Sequence, residues 1–233
     1  MVLIDFMTKR LFRYFFPFIL IFVLGCGSGH KKNGISEGTI EFEATAVDQN
    51  NSMADMAPKA LLVKFKNGKS YAEMSSAMGL LTITYISDLE TQTLTQLVKV
   101  VYKKNICIQN ASDIDKQISN TPKPIVTVTK DTKVIAGYKC KKATITYNDP
   151  KLPTFDVFYT EDIALEKPNW FNEFREIDGV LLEYQLKRYN IELRFTAKTV
   201  TSEPISDDQF KVPDDDYRHV TQKELEDIFS GLQ

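Results

Sequence analysis

The chain has 233 residues, 43% of them hydrophobic and 26% charged, with 29 Lys and Arg against 31 Asp and Glu. A charge balance this mild and mixed excludes binding to nucleic acid or to an anionic membrane surface through bulk basicity. The hydrophobic content suits a soluble globule, and the length suits one domain or one generous sheet.

The N-terminus carries an address. Lys9, Arg10 and Arg13 precede an apolar run from Tyr14 to Leu24, which ends in Val23-Leu24-Gly25-Cys26. A membrane-spanning helix needs about 20 apolar residues. This run is shorter and is interrupted by Pro17, so it reads as the core of a lipoprotein signal peptide. Residues 1–25 are then removed, and Cys26 receives lipid and becomes the new N-terminus. Residues 26–38 read as a lipidated cysteine and flexible tether, and 39–233 as a single β-rich domain. The mature chain keeps 208 residues, with 26 Lys and Arg and 30 Asp and Glu. Gly27 is not the aspartate that retains lipoproteins at an inner membrane, and no acidic cluster follows Cys26. The expected location is the periplasmic side of an outer membrane.

From Ile40 onward the dominant pattern is period-two alternation. Ile40, Phe42, Ala44 and Ala46 alternate with polar residues, as do Leu61, Val63 and Phe65. Asn67-Gly68 then gives a strong hairpin signal. Leu81–Tyr85 is a further strand, Leu94–Cys107 a long one and Ile125–Thr129 a shorter one. Val134–Tyr147 is again long, followed by strands at Phe155–Tyr159, Val180–Leu186 and Ile191–Ser202. The fold class expected is mainly β with a few helices (α+β). Its architecture would be a large curved antiparallel sheet, a half-barrel with helical lids. Ser112–Ser119 predicts two helical turns, and Leu165–Ile177 reads as helix or loop. Thr221-Gln222-Lys223-Glu224 matches a capping box, and Leu225, Ile228, Phe229 and Leu232 follow at helical spacing.

Cys107 and Cys140 form an even pair in an oxidising compartment, which predicts a disulfide; the alternative is two buried thiols packed as small hydrophobes. Catalytic signals are sparse. His30 lies in the tether and His219 stands without a nucleophile-elbow sequence. No His/Cys set has zinc spacing, and the Asp214–Asp216 run lacks the ligand pattern of a calcium loop. No metal and no cofactor is expected. The residues that invite a ligand are apolar: Met53, Met56, Met74 and Met78 in early loop-like segments, and Trp170, Phe171 and Phe174 in one connector. With Ile228 and Phe229 they would rim a cleft between the sheet and its lids. The bland reading is that they complete the core.

Ala136-Gly137-Tyr138-Lys139-Cys140-Lys141-Lys142-Ala143, then Val157-Phe158-Tyr159-Thr160-Glu161 and Leu181-Leu182-Glu183-Tyr184, resemble a family of envelope proteins that includes the GLPGLI-type proteins and related lipoprotein domains. Where the namesake motif would fall, the chain reads Ile177-Asp178-Gly179-Val180-Leu181-Leu182 and lacks its proline. The closing Asp207-Asp208-Gln209-Phe210-Lys211-Val212-Pro213 is similar to the end of lipoprotein-carrier domains of the LolA/LolB type. That resemblance implies a deeply curved sheet whose apolar concavity accepts acyl chains, and it implies no catalytic residues. The expectation is therefore a non-enzymatic lipoprotein that binds an acyl chain or another apolar ligand. The membrane is its partner through the lipid anchor, and nucleic acid is not. The alternative is an accessory subunit docked on an outer-membrane protein machine, and a hydrolase is the distant third.

Overall fold

The computed structural model describes residues 34–48, 50, 54, 57–76, 79–188, 191–213 and 216–231. Twelve strands form one sheet: β1 (Glu37–Ala46), β2 (Ala60–Lys66), β3 (Lys69–Ser75), β4 (Leu81–Asp88), β5 (Thr93–Val100), β6 (Lys103–Asn110), β7 (Ile125–Ile135), β8 (Tyr138–Thr146), β9 (Phe155–Thr160), β10 (Val180–Arg188), β11 (Ile191–Thr201) and β12 (Arg218–His219). Helix α1 (Ala111–Ser119) follows β6, and α2 (Gln222–Ser230) follows β12. Among the described residues, no helix is long and apolar enough to cross a membrane.

The strand order is β12-β6-β5-β4-β3-β2-β1-β11-β10-β9-β8-β7. Two antiparallel meanders, β1–β6 and β7–β11, are thus joined by the pairing of β1 with β11. The sheet is mixed, because β12 runs parallel to β6. It stays open, with β12 and β7 at its edges. Only residues 111–124 connect β6 to β7, ten places away along the sheet. At about 4.8 Å per strand a flat sheet would need roughly 48 Å there. Nine helical residues and five extended ones supply about 30 Å. The sheet therefore bends, and Lys133 of β7 reaches Glu183 of β10 at 2.6 Å.

The register explains the burial. Pairing aligns Phe42 with Leu61 and Ala197, and Ala44 with Phe195, on one face, here the inner one. The same face continues through Met74, Ile83, Val98 and Asn105 across β3–β6. On the opposite, outer face Ile86, Leu97 and Ile106 pack under Ile205, Phe210 and Tyr217. A 3-10 turn, Asp207–Phe210, holds that cover down; Lys66 donates to the Ile205 carbonyl at 2.9 Å and Lys64 to Gln209 at 2.8 Å. Strand β5 is consequently buried on both faces, which is why its sequence shows no clean alternation.

Two expected long strands are hairpins. Leu94–Cys107 breaks at Val101-Tyr102, where Val101 has φ +57°, and Val134–Tyr147 breaks at Ala136-Gly137, with φ +47° and +84°. Gly137 thus supplies a turn. Asn67-Gly68 forms the expected hairpin turn, with φ +46° and +79°. Leu165–Ile177 is a chain of turns without helix. The fold also starts before residue 39, since Ile35 bridges Ile163 and β1 begins at Glu37.

Both helices begin as their sequences direct. Asn110 caps α1 with Asp113, and Thr221 caps α2 with Glu224, each as a reciprocal capping box. Helix α2 lays Leu225 and Phe229 onto Ile83, Val98 and Cys107.

Candidate functional site

Three elements stand over the inner face. Helix α2 covers its β4–β6 part, α1 buries Ile114 and pairs Gln117 with Gln109 of β6 at 2.8 Å, and the β9–β10 connector covers β8–β10. In that connector Phe174 is 1% exposed, and it packs edge-on to Phe155 and Tyr184 at 6.4 and 6.5 Å. Tyr184 in turn stacks on Phe195 at 5.1 Å. Asn169 holds the connector's shape, donating to the carbonyls of Ile177 at 2.9 Å and Gly179 at 3.0 Å. A Cβ on Gly179 would stand 2.8 Å from the Thr160 carbonyl, so this close approach requires glycine.

The candidate cleft residues do not gather in one place. Met53, Met56 and Met78 lie outside the described residues, as does Cys26. Ile228, Phe229 and Met74 belong to the cluster under α2, Phe174 to the cluster under the connector. Trp170 and Phe171 are half-buried and pair edge-on at 5.6 Å, outside the core clusters of the described residues. The connector and helix α2 each pack an aromatic side chain, Phe174 and Phe229, into a buried core cluster.

The expected disulfide is absent. Cys107 and Cys140 are free, buried thiols on β6 and β8, nine places apart in the sheet and in separate clusters. Both pack as small hydrophobes. Burial pushes the Cys107 thiol up, and pushes Cys140 up to about 11. A thiol raised in the fold loses its proton first in the unfolded chain. Stability is therefore expected to fall as pH rises from about 9 toward 11, where unfolded Cys140 ionises and folded Cys140 does not. Burial raises Tyr159 and Tyr71 in the same direction, Tyr71 further through its bond to Glu73. Denaturant titrations of wild type and Cys140→Ala across that range isolate the thiol: the variant should show a shallower loss.

One open groove, of about 500 Å³, is lined by Glu41, Glu43, Lys59, Leu62 and Lys198, with Phe42, Ala60 and Leu61 behind. It lies where β1, β2 and β11 meet. Lys198 pairs with Glu43 at 2.6 Å, and Thr199 donates to Glu41 at 2.9 Å. The sequence offers little warning of it, because charged residues alternating along a strand read simply as a solvated face. Among the described residues no group of His, Cys, Asp and Glu has the arrangement of a metal site. His219 is exposed on the edge strand β12.

The fold class is thus an open, mainly β, twelve-stranded mixed sheet with two helices. Residues 72–169, from β3 into the connector, match the family described as N-glycanase peptide, N-terminal domain; this is less than half of the chain. No curated protein matches the sequence. Among solved structures the fold is similar to PNGF-II in two crystal forms, with TM-scores of 0.54 and 0.53 at 14% identity. Those alignments cover 84% and 83% of this chain but 33% and 32% of PNGF-II, so the chain spans about a third of that protein's length. The crystal structure of MucB aligns at TM-score 0.32 and 12% identity, over 79% of this chain and 60% of MucB.

Proposed function

We propose that the protein is a lipid-anchored module of the cell envelope, held by Cys26 on the periplasmic side of the outer membrane. In this reading it docks on a partner protein and performs no chemistry of its own. One observation carries it: the inner face that would take an acyl chain is occupied by Phe174, Ile177, Leu225 and Phe229. The groove at Glu41, Glu43, Lys59 and Lys198 meanwhile faces solvent. The bent sheet is then a half-barrel whose lids serve as filling. The outer face of β1 and β11, with charges of both signs, offers the polar surface of a non-obligate interface. Purification of the full chain from native membranes, with mass spectrometry for proteins and lipids, tests this. A protein partner in fixed stoichiometry, lost on Glu43→Lys, is expected. A fixed ratio of bound lipid without protein, or a partner indifferent to groove charge, would overturn it.

The family match over residues 72–169 favours a second reading, in which the chain takes part in an N-glycanase activity. Release of glycan from an N-glycopeptide by the purified protein decides between the two. Turnover would defeat the non-catalytic assignment.

A further inference from the structure

We infer that two adjoining turns at one end of the β3–β6 meander, carrying Leu80, Val101 and Tyr102, form a docking tip for an anionic phospholipid surface. The inference needs neither the groove nor the anchor invoked above. Tyr102 is 80% exposed, Val101 51% and Leu80 42%, and none of the three joins a core cluster of the described residues. The turns act as one unit, because the Val101 amide donates to the Leu80 carbonyl at 2.7 Å and Leu81 pairs with Val100. Val100 in turn pairs with Lys103, so Val101 and Tyr102 make a tight hairpin turn.

The fold does not ask for these residues. Val101 is held at φ +57°, where a β-branched side chain is disfavoured and glycine or asparagine is the usual choice. Behind the turn Lys99 stands directly opposite Lys104, a like-charge pair that costs stability. Lys104 meets Asp216 at 4.0 Å, whereas Lys99 and Lys103 have no ion-pair partner among the described residues. Residues 75–87 and 91–112 contain no Asp or Glu. The other end of the meander differs. There Asn67-Gly68 makes the turn, the Leu89 amide donates to the Gly68 carbonyl at 3.1 Å, and Lys69 meets Asp88 at 3.3 Å.

Exposed apolar side chains, a disfavoured turn residue and unpaired lysines thus coincide, and they fit one occupant. Lysines backing an apolar tip select a surface that is anionic outside and apolar beneath, which is a bilayer of acidic phospholipid. Tyrosine suits the boundary of such a bilayer, with its ring apolar and its hydroxyl wet. The chain's overall charge does not supply the attraction; the lysines do so locally, within a Debye length of the lipid phosphates. Three side chains on two turns fall far short of the roughly 20 residues a side of a stable protein interface.

Trp170 is the only tryptophan of the chain, so Trp170→Phe combined with Tyr102→Trp moves the emitter to the tip. This full-length variant would be mixed with phosphatidylcholine vesicles containing phosphatidylglycerol, with and without brominated acyl chains. Insertion to interfacial depth should cost about half of the emission or more. Raised salt should restore most of it, as should Lys99→Glu with Lys103→Glu. Val101→Gly should weaken the quenching while leaving the urea midpoint unchanged or raised, because glycine accepts the positive φ. A lipid anchor alone does not bring bromine to the tip, so absence of quenching would overturn the inference whether or not the protein binds the vesicles. Equal quenching in pure phosphatidylcholine would overturn the part given to the lysines. A blue shift on polyglutamate and not on vesicles would overturn the lipid in favour of an acidic protein.

Discussion

Phe229→Ala is expected to lower the unfolding free energy by about 3–5 kcal/mol, the range for a buried phenylalanine truncated to alanine. The ring is 5% exposed and, with Leu225, fixes α2 to Ile83, Val98 and Cys107. Val220 and Ile228 join the same cluster. Strand β12 pairs over two residues, the Val220 amide donates to the Ile106 carbonyl at 2.9 Å, and Arg218 reaches Glu224 at 2.9 Å on the surface. The exposed ion pair contributes at most about 1 kcal/mol, so the aromatic contact decides whether α2 stays docked. Urea denaturation of the full chain measures the loss. A loss below about 1 kcal/mol would mean that α2 opens readily, and the carrier-like reading would then regain its gate. Alkylation of Cys107 supplies an independent readout, because this thiol lies under α2 while Cys140 lies in another cluster. Undocking of α2 should speed modification of Cys107 and leave Cys140 slow.

Much of the local structure was legible because it rests on short-range chemistry. Asn67-Gly68 tolerates the positive φ of a tight hairpin, and Thr221 with Glu224 satisfies the free amides of the α2 N-terminus; both signals are complete within a few residues. The turns at Val101-Tyr102 and Ala136-Gly137 carry weaker signals. A β-branched residue at φ +57° is held there by the pairing of Val100 with Lys103 and not by its own preference. The joining of the meanders was not legible at all. Thr39 pairs with Thr201, and nothing in either strand specifies a partner so distant; the packing of Phe42, Phe195 and Tyr184 selects it. The cover formed by Ile205, Phe210 and Tyr217 was missed because their spacing follows no period. In the closing Asp207–Pro213 string, Phe210 packs on the outer face with Ile86, Leu97 and Ile106. Among the site residues, composition found the aromatic connector but could not separate Phe174, which fills the core, from Trp170 and Phe171, which do not. That distinction depends on which face each turn presents.

Phe174→Ala is expected to cost about 3–5 kcal/mol on the same grounds, since its ring is 1% exposed among Phe155, Tyr184 and the Val157–Ile177 cluster. The informative measurement combines it with Phe229→Ala. If the inner face were one continuous cleft with two movable plugs, loss of either would loosen the other, and the double variant would depart from the sum of the single losses. The two rings instead belong to clusters that share no buried residue, one over β8–β10 and the other over β4–β6. Distant sites without shared partners add to within about 0.5 kcal/mol. The double variant is therefore expected to lose the sum of the two, provided each single variant remains folded enough to titrate. Binding of an apolar fluorescent probe should follow the same rule. Phe174→Ala opens a void beneath the connector, and probe uptake there should be unaffected by the state of α2. Coupling above about 1 kcal/mol, or uptake that needs both substitutions, would unite the two plugs into one ligand site and shift the balance from a docking module to a carrier.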